Sequence, residues 1–124
     1  MAAITKNRII RATHTIDATD QVIGRLATAI GQLLMGKNKA TYQRHIDGGD
    51  FVVVKNTAKM KTTGKKLYQK EFYHFSGYPG GLKRKKLSVV MEKDPSWALR
   101  NAVWNMLPKN KLRDAMIKRL RLSK

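Results

Sequence analysis

The sequence contains no cysteine, few acidic residues and no long apolar run. The absence of cysteine excludes disulfides and any zinc or iron–sulfur site that needs thiolate ligands. No stretch of about 18 apolar residues occurs, which argues against a membrane-spanning helix. The basic N-terminus also lacks an apolar stretch long enough for a signal peptide, so we expect a soluble intracellular protein.

The shortage of acidic residues leaves a large positive charge on the chain. There are 26 Lys and Arg against 8 Asp and Glu, a formal net charge of +18 at pH 7. Residues 1–58 hold 8 basic and 4 acidic residues, whereas residues 59–124 hold 18 and 4. Such a charge destabilises a compact chain by self-repulsion and is best tolerated beside a polyanion. We therefore expect a nucleic acid partner and no membrane, since no basic helix has the exposed apolar face that a bilayer surface requires.

Apolar residues recur with helical spacing between positions 22 and 34, which predicts the best-defined helix of the chain. Thr19 or Asp20 would cap its N-terminus, and Gly36 would end it. The stretch GQLLMGKN at residues 31–38 is similar to a phosphate-binding P-loop. However, a P-loop follows a strand and opens a helix, and its final hydroxyl residue is missing here. We interpret this stretch as a helix end followed by a basic loop.

The remaining periodic segments predict one α/β domain in which helices flank a small parallel sheet. Residues 15–18 predict a short strand, and residues 51–56, FVVVKN, predict a strand that is buried on both faces. Strand, helix and strand in this order indicate a βαβ unit. Asp94 followed by Pro95 predicts the start of a second helix. A third helix, largely basic on its outer positions, is expected from about Lys111.

The stretch FSGYPGGLKRKK at residues 75–86 combines turn residues, two aromatic rings and four consecutive cations. Residues 59–63 and 66–75 look extended and would form a hairpin-like excursion with this stretch as a loop at its end. Glycines let a backbone approach phosphates, cations contact them, and unstacked RNA bases can lie on aromatic rings. Cationic loop and helix positions are therefore candidate phosphate contacts, namely Lys83, Arg84, Lys85, Lys86, Arg113, Lys118, Arg119 and Arg121.

Two other functions were weighed against RNA binding. The acids Asp17, Asp20, Asp47 and Asp50 fall near expected strand ends, and a metal-dependent nuclease needs carboxylates that converge on ions about 4 Å apart. Asp20 is explained better as a helix cap, and Asp47 and Asp50 are explained better as turn residues. No catalytic residue, metal or cofactor is therefore expected. Sequence-specific DNA recognition is disfavoured because no helix-turn-helix, zinc finger or basic zipper is visible, and a DNA-packaging protein stays as a weaker alternative.

Six blocks occur in series over most of residues 14–122: IDATDQVIGRLATAI, GKNKATY, DGGDFVVVKN, TGKKL, SGYPGGLK and MLPKNKL. In this order they resemble the family of the bacterial-type large-subunit ribosomal protein uL13 (L13). The resemblance implies a three-layer α/β/α fold with a small, about four-stranded, mainly parallel sheet and basic loop extensions. It also implies a single domain over residues 1–124, with a basic N-terminal extension at residues 1–13.

The same resemblance implies a non-enzymatic protein of a cytoplasmic ribosome, bacterial or organellar. Such a protein binds large-subunit, 23S-type rRNA beside neighbouring ribosomal proteins and supports subunit assembly by phosphate neutralisation and shape fit, with no small-molecule substrate. Position by position, it implies rRNA contacts at Arg25, Lys37, Lys39, Tyr42, His45, Lys65, Lys66, Tyr78, Gly80, Gly81, Lys83, Lys109 and Lys111.

Overall fold

The computed structural model describes residues 10–40 and 42–124 as helices and strands of an α/β protein, which confirms the predicted class. The elements in order are β1 (Thr13–Asp17), α1 (Ile23–Met35), β2 (Phe51–Lys55), α2 (Lys66–Gln69), β3 (Glu71–Phe75), β4 (Leu82–Lys86), α3 (Leu87–Lys93), α4 (Pro95–Met106), α5 (Leu112–Lys118) and β5 (Leu120–Leu122). A short 3-10 helix, Thr57–Lys59, follows β2. Residues 1–9 of the predicted N-terminal extension lie outside the described residues.

Three strands form one parallel sheet with β2 in the middle, in the order β1-β2-β5. Thr13 of β1 is paired with Phe51 of β2, and Leu120 of β5 is paired with Val52. The predicted strand–helix–strand unit and its parallel sheet are therefore confirmed. The described residues give this sheet three strands where about four were expected, and β3 and β4 pair with each other in a separate antiparallel hairpin.

The two faces of the parallel sheet have different environments. Val52 and Val54 are fully buried on one face, because α1 and α4 pack over it. Side chains alternate along a strand, so Phe51, Val53 and Lys55 point to the other face. Phe51 is 40% exposed there and Arg121 of β5 is exposed, so the prediction that β2 is buried on both faces was wrong. Within the described residues the helices cover one face, which differs from the three layers that the resemblance implies.

The main core joins α1 and α4 to the covered face of the sheet. Its largest fully buried apolar side chains are Ile30, Leu34, Leu99, Val52, Val54 and Val103. Burial of one such side chain stabilises a fold by about 1.5–3 kcal/mol before entropic costs, so this cluster holds the domain together. Among residues 10–40 and 42–124, no helix is both long enough and apolar enough to cross a bilayer.

Two helix ends follow the local rules that the sequence suggested. The Asp94 carboxylate accepts a hydrogen bond of 3.3 Å from the Trp97 N–H, and Pro95 occupies the first turn of α4. Gly36 ends α1 in a left-handed conformation with φ of 79°, which glycine adopts without steric cost. The GQLLMGKN stretch is therefore the end of a helix, as interpreted above.

The start of α1 differs from the prediction that Thr19 or Asp20 caps it. The helix begins at Ile23 with no side-chain cap. Thr19 instead donates its N–H and its hydroxyl to the Asp17 carboxylate, at 3.0 and 2.7 Å. Asp20 has a φ of 58°, and its N–H donates to the carbonyl of Lys59. Both residues are used in the turn that ends β1, before the helix starts.

The basic hairpin is also placed differently from the prediction. Residues 59–63 form no strand, only an isolated bridge between Lys61 and Val22, and residues 66–69 form α2. The strand that carries Lys83–Lys86 pairs with β3 over five residue pairs. These cations therefore stand on a strand rather than in a flexible loop, because β3 supplies the backbone partners that local sequence could not reveal.

The C-terminal segment shows a third difference. The helix that was predicted from Lys111 ends at Lys118, and the chain then extends into β5. Val52 and Val54 at the centre of the sheet pair with Leu120 and Leu122. Pairing with a buried strand thus overrides the helical spacing of these leucines. Helix α3 was not predicted at all.

Gly49 marks a close approach between the segment before β2 and the end of α1. A Cβ at Gly49 would lie 1.7 Å from the backbone oxygen of Leu34, whereas a Cβ at Gly48 would meet nothing within 4 Å. We expect Gly49→Ala to lower the free energy of unfolding by at least about 2 kcal/mol, because the backbone must move. Gly48→Ala is the control and should change it by less than about 0.5 kcal/mol. Urea denaturation measures both, and equal effects would contradict this packing.

Candidate nucleic-acid interface

The four ion pairs found among the described residues all involve Asp47 or Asp50, just before β2. Asp50 is 2% exposed. Its carboxylate accepts hydrogen bonds from the Lys39 ammonium at 2.7 Å, from His14 Nε2 at 2.8 Å and from the Ala12 N–H at 3.1 Å. A buried carboxylate is tolerated only with such partners, so Asp50 fastens β1 and the loop after α1 to the start of β2.

Asp47 makes the second half of this network. The buried guanidinium of Arg119 donates to both carboxylate oxygens of Asp47 and also to the carbonyl of Leu34, at 2.6 Å. Arg11 donates to the backbone carbonyls of Asp47 and Gly49. These contacts join the residue after α5 to the loop before β2 and to the end of α1. The network therefore has a structural role at the end of the sheet where β2 begins.

Three of the four acids considered for a nuclease, namely Asp17, Asp47 and Asp50, have carboxylates engaged within the chain. Asp17 accepts hydrogen bonds from Thr19 and from the Asn56 side chain, at 3.1 Å for the latter. In the part of the chain that the structure describes, no three His, Asp or Glu side chains lie close enough to hold a metal ion. Asp47 and Asp50 serve as internal counter-ions for arginine, lysine and histidine.

Four consecutive cations lie on the β3–β4 hairpin. Lys83, Arg84, Lys85 and Lys86 are all exposed along β4. The hairpin is attached to the helices through Phe72, whose ring meets Trp97 edge-to-face with centroids 5.0 Å apart. This contact belongs to a second apolar cluster, whose buried members are Leu87, Val90 and Ala98. The hairpin therefore holds its four cations in a defined position.

The turn of the hairpin depends on glycine. Gly77 and Gly80 have φ of 91° and 76°, conformations that strongly favour glycine. The Ser76 N–H donates to the Gly81 carbonyl at 3.3 Å, and the Gly81 N–H donates to the Tyr78 carbonyl at 2.9 Å. The Tyr78 ring is exposed beside this turn. Backbone and ring are both open to a ligand at the tip of the hairpin.

The other predicted contacts divide into exposed and internally engaged residues. The exposed ones are Arg25, Lys37, His45, Lys65, Lys66, Lys109, Lys111, Lys118 and Arg121. Tyr42 is half-buried. Arg113 stacks on the Trp104 ring at 4.0 Å and donates to its carbonyl, while Lys39 and Arg119 hold Asp50 and Asp47. These three cations have partners inside the chain, so we leave them out of the interface proposed below.

An open cavity of about 240 Å³ is lined by two lysines, Lys61 and Lys70, that were not among the predicted contacts. It lies between the start of α1, α2 and the end of α4, with Lys61, Lys66 and Lys70 in its lining and Ile23 and Met106 among its apolar walls. The Lys70 carbonyl accepts the Leu87 N–H, which links this site to the base of the hairpin. Only the contact between segments distant in sequence could have grouped these lysines.

Residues 11–124 match the sequence profile of the ribosomal protein L13 family. The chain belongs to the ribosomal protein L13 family. It is 47% identical over 114 residues to the large ribosomal subunit protein uL13 of Rhodococcus erythropolis, which covers 92% of this chain and 78% of the relative. It is 48% identical to uL13 of Maridesulfovibrio salexigens, covering 92% and 80%, and 50% identical to uL13 of Saccharopolyspora erythraea, covering 92% and 77%.

Membership of the L13 family confirms the resemblance that the six sequence blocks suggested. L13 proteins are structural ribosomal proteins, so the chain is not an enzyme. The three relatives named here are bacterial, and membership of a ribosomal protein family supports the predicted location on a cytoplasmic ribosome.

Burial of the Asp50 carboxylate raises its pKa, but hydrogen bonds from Lys39, His14 and Ala12 lower it by more, to about 2 from its usual 3.8. Because the folded pKa lies below the unfolded one, this stabilisation is present above about pH 4 and is lost as the pH falls towards 2. We expect Asp50→Asn to lower the free energy of unfolding at pH 7 by about 2 kcal/mol. Between pH 4 and 2, the free energy of unfolding should fall less in this variant than in the wild type, because the titrating carboxylate is gone. Urea denaturation across this pH range measures both effects.

Part of the acid sensitivity should remain in Asp50→Asn. Hydrogen bonds from the Thr19 N–H and hydroxyl and from Asn56 also hold the pKa of Asp17 at about 2. Glu92→Gln is the control, since this exposed acid forms no ion pair in the described part of the chain, and its stability at pH 7 should stay within about 0.5 kcal/mol. A wild-type pH dependence in Asp50→Asn would show that its ion pairs do not stabilise the fold.

Proposed function

We propose that this L13-family chain is a structural constituent of the large ribosomal subunit and binds its rRNA without turnover. The observation that carries the proposal is the exposed segment Lys83–Lys86, which forms no ion pair with the described acidic residues. Asp47 and Asp50 are already occupied by other cations. Uncompensated charge on a fixed hairpin favours a partner rich in phosphates, and the relatives are named as large-subunit proteins.

The proposed interface extends from the hairpin to the exposed basic segments around it. The turn at Gly80 and Gly81 lets a phosphate backbone approach closely, and Lys83–Lys86 neutralise the phosphates that follow. Lys61, Lys66 and Lys70 continue the positive surface at the base of the hairpin. A protein that contacts several RNA segments in this way would support subunit assembly by charge neutralisation and shape fit, beside neighbouring ribosomal proteins.

Residues 1–124 act as one domain in this proposal. Met91 of α3 packs against both apolar clusters, the one under the parallel sheet and the one that anchors the hairpin. Apolar packing therefore connects the hairpin to the main core. An RNA that binds the hairpin is held relative to the whole fold.

The proposal predicts how RNA affinity depends on salt. Each duplex phosphate that a protein neutralises contributes about −0.9 to the slope of log affinity against log salt concentration, and each single-strand phosphate about −0.7. Changing Lys83, Arg84, Lys85 and Lys86 together to Gln should reduce the slope for large-subunit rRNA by about 3, because four contacts are lost. Filter binding over a salt series measures this.

The matched control removes four charges elsewhere. Lys55, Lys59, Lys93 and Lys124 are exposed and lie outside the proposed interface, so their combined change to Gln should shift the slope by less than about 1. Equal slopes for the two variants would remove the hairpin from the interface. Stronger binding to duplex DNA than to rRNA at the same salt concentration would favour the DNA-packaging alternative.

A further inference from the structure

One face of the β3–β4 hairpin carries two aromatic rings that are largely exposed to solvent. Tyr73 is 63% exposed and Phe75 is 62% exposed. Residues paired across antiparallel strands share a face, and Tyr73 is paired with Arg84 while Phe75 is paired with Leu82. Tyr73, Phe75, Leu82 and Arg84 therefore form one surface, which we call the aromatic face. The pair of Glu71 and Lys86 continues this face towards α3.

The opposite face of the hairpin fixes the aromatic face in place. Phe72 points the other way from Tyr73, and it packs on Trp97 with the cluster of Leu87, Val90 and Ala98. This contact keeps the rings of the aromatic face from folding back onto the helices. The Arg84 guanidinium lies 5.8 Å from the centre of the Tyr73 ring, so a cation already borders the platform.

We propose that Tyr73 and Phe75 form a stacking platform for unpaired RNA bases, while Arg84 and Lys86 on the same face hold the phosphates of the same RNA strand. This inference rests on the function proposed above and names the kind of RNA that the hairpin takes. Residues two positions apart on a strand are separated by roughly 6.7 Å, which suits bases that are splayed apart. Bases inside a duplex are not available to such rings.

The charge around the rings favours RNA over a protein partner. Arg84 and Lys86 lie on the aromatic face beside the rings, whereas Lys83 and Lys85 point to the opposite face. Glu71 also lies on the aromatic face, where its carboxylate accepts a hydrogen bond of 3.1 Å from the Tyr73 hydroxyl. A protein surface that covered the rings would have to desolvate or neutralise Arg84 and Lys86. A single RNA strand supplies a flat ring for each aromatic side chain and phosphates for these two cations.

The test separates ring stacking from charge and from apolar contact. The double variant Tyr73→Leu and Phe75→Leu keeps apolar side chains but removes both rings. We expect its affinity for a labelled oligo(U) strand to fall at least about tenfold at every salt concentration, with an unchanged salt slope. Its affinity for a blunt RNA duplex should stay within about twofold, because the phosphate contacts remain.

Two control variants accompany the double variant. Tyr73→Phe combined with Phe75→Tyr keeps two rings and should bind oligo(U) like the wild type. Tyr68→Leu removes another exposed ring, in α2 and off the hairpin, and should not change the affinity. Thermal unfolding of all variants checks that they are folded, and little change is expected since these rings are exposed.

Several results would overturn the stacking platform. Unchanged affinity of the leucine variant for oligo(U) would do so and would leave the aromatic face to a protein partner. An equal loss on oligo(U) and on the duplex would also do so, because stacking requires unpaired bases. Failure of the wild type to bind any RNA would instead refute the proposed function itself, so the two failures are distinguishable.

Discussion

The ion-pair network around Asp47 and Asp50 fixes β1, the end of α1 and the residue after α5 relative to the start of β2. The Asp50 carboxylate joins β1 to the loop after α1, and the Asp47 carboxylate receives the buried guanidinium of Arg119. A basic chain with so few acids uses two of them inside, where a charge without a partner would be costly. Other cations are consequently left on the surface without internal counter-ions, and the outer surface is strongly positive.

Arginines of this chain have two different roles, depending on whether they are buried or exposed. Arg119 directs its guanidinium inward to Asp47 and Leu34, whereas Arg121, two residues later, is exposed on the uncovered face of the sheet. Arg113 is also engaged internally, because it stacks on the Trp104 ring and donates to the Trp104 carbonyl. This contact stabilises α5 against α4. Charge alone therefore does not identify an RNA contact, because its position relative to the core decides whether the cation faces inward or outward.

The hairpin shows how an otherwise unsupported segment becomes a binding element. An isolated pair of strands is only marginally stable, so β3 and β4 need the contact of Phe72 with Trp97 and the cluster beneath α3. With that anchor, one face is fixed to the helices and the other presents Tyr73, Phe75, Arg84 and Lys86 to solvent. Gly77 and Gly80 close the turn with conformations that larger residues rarely adopt.

Features that depend on neighbouring residues or on composition were predictable from the sequence: the positive charge, the end of α1 at Gly36, the start of α4 at Asp94 and the βαβ unit. The family was also recognisable from short blocks. Three features became clear from long-range contacts alone: Leu120–Leu122 form a strand, Lys83–Lys86 lie on another strand, and Arg119 is internal. These segments have weak local preferences, and their conformation is set by partners distant in sequence, namely β2, β3 and Asp47.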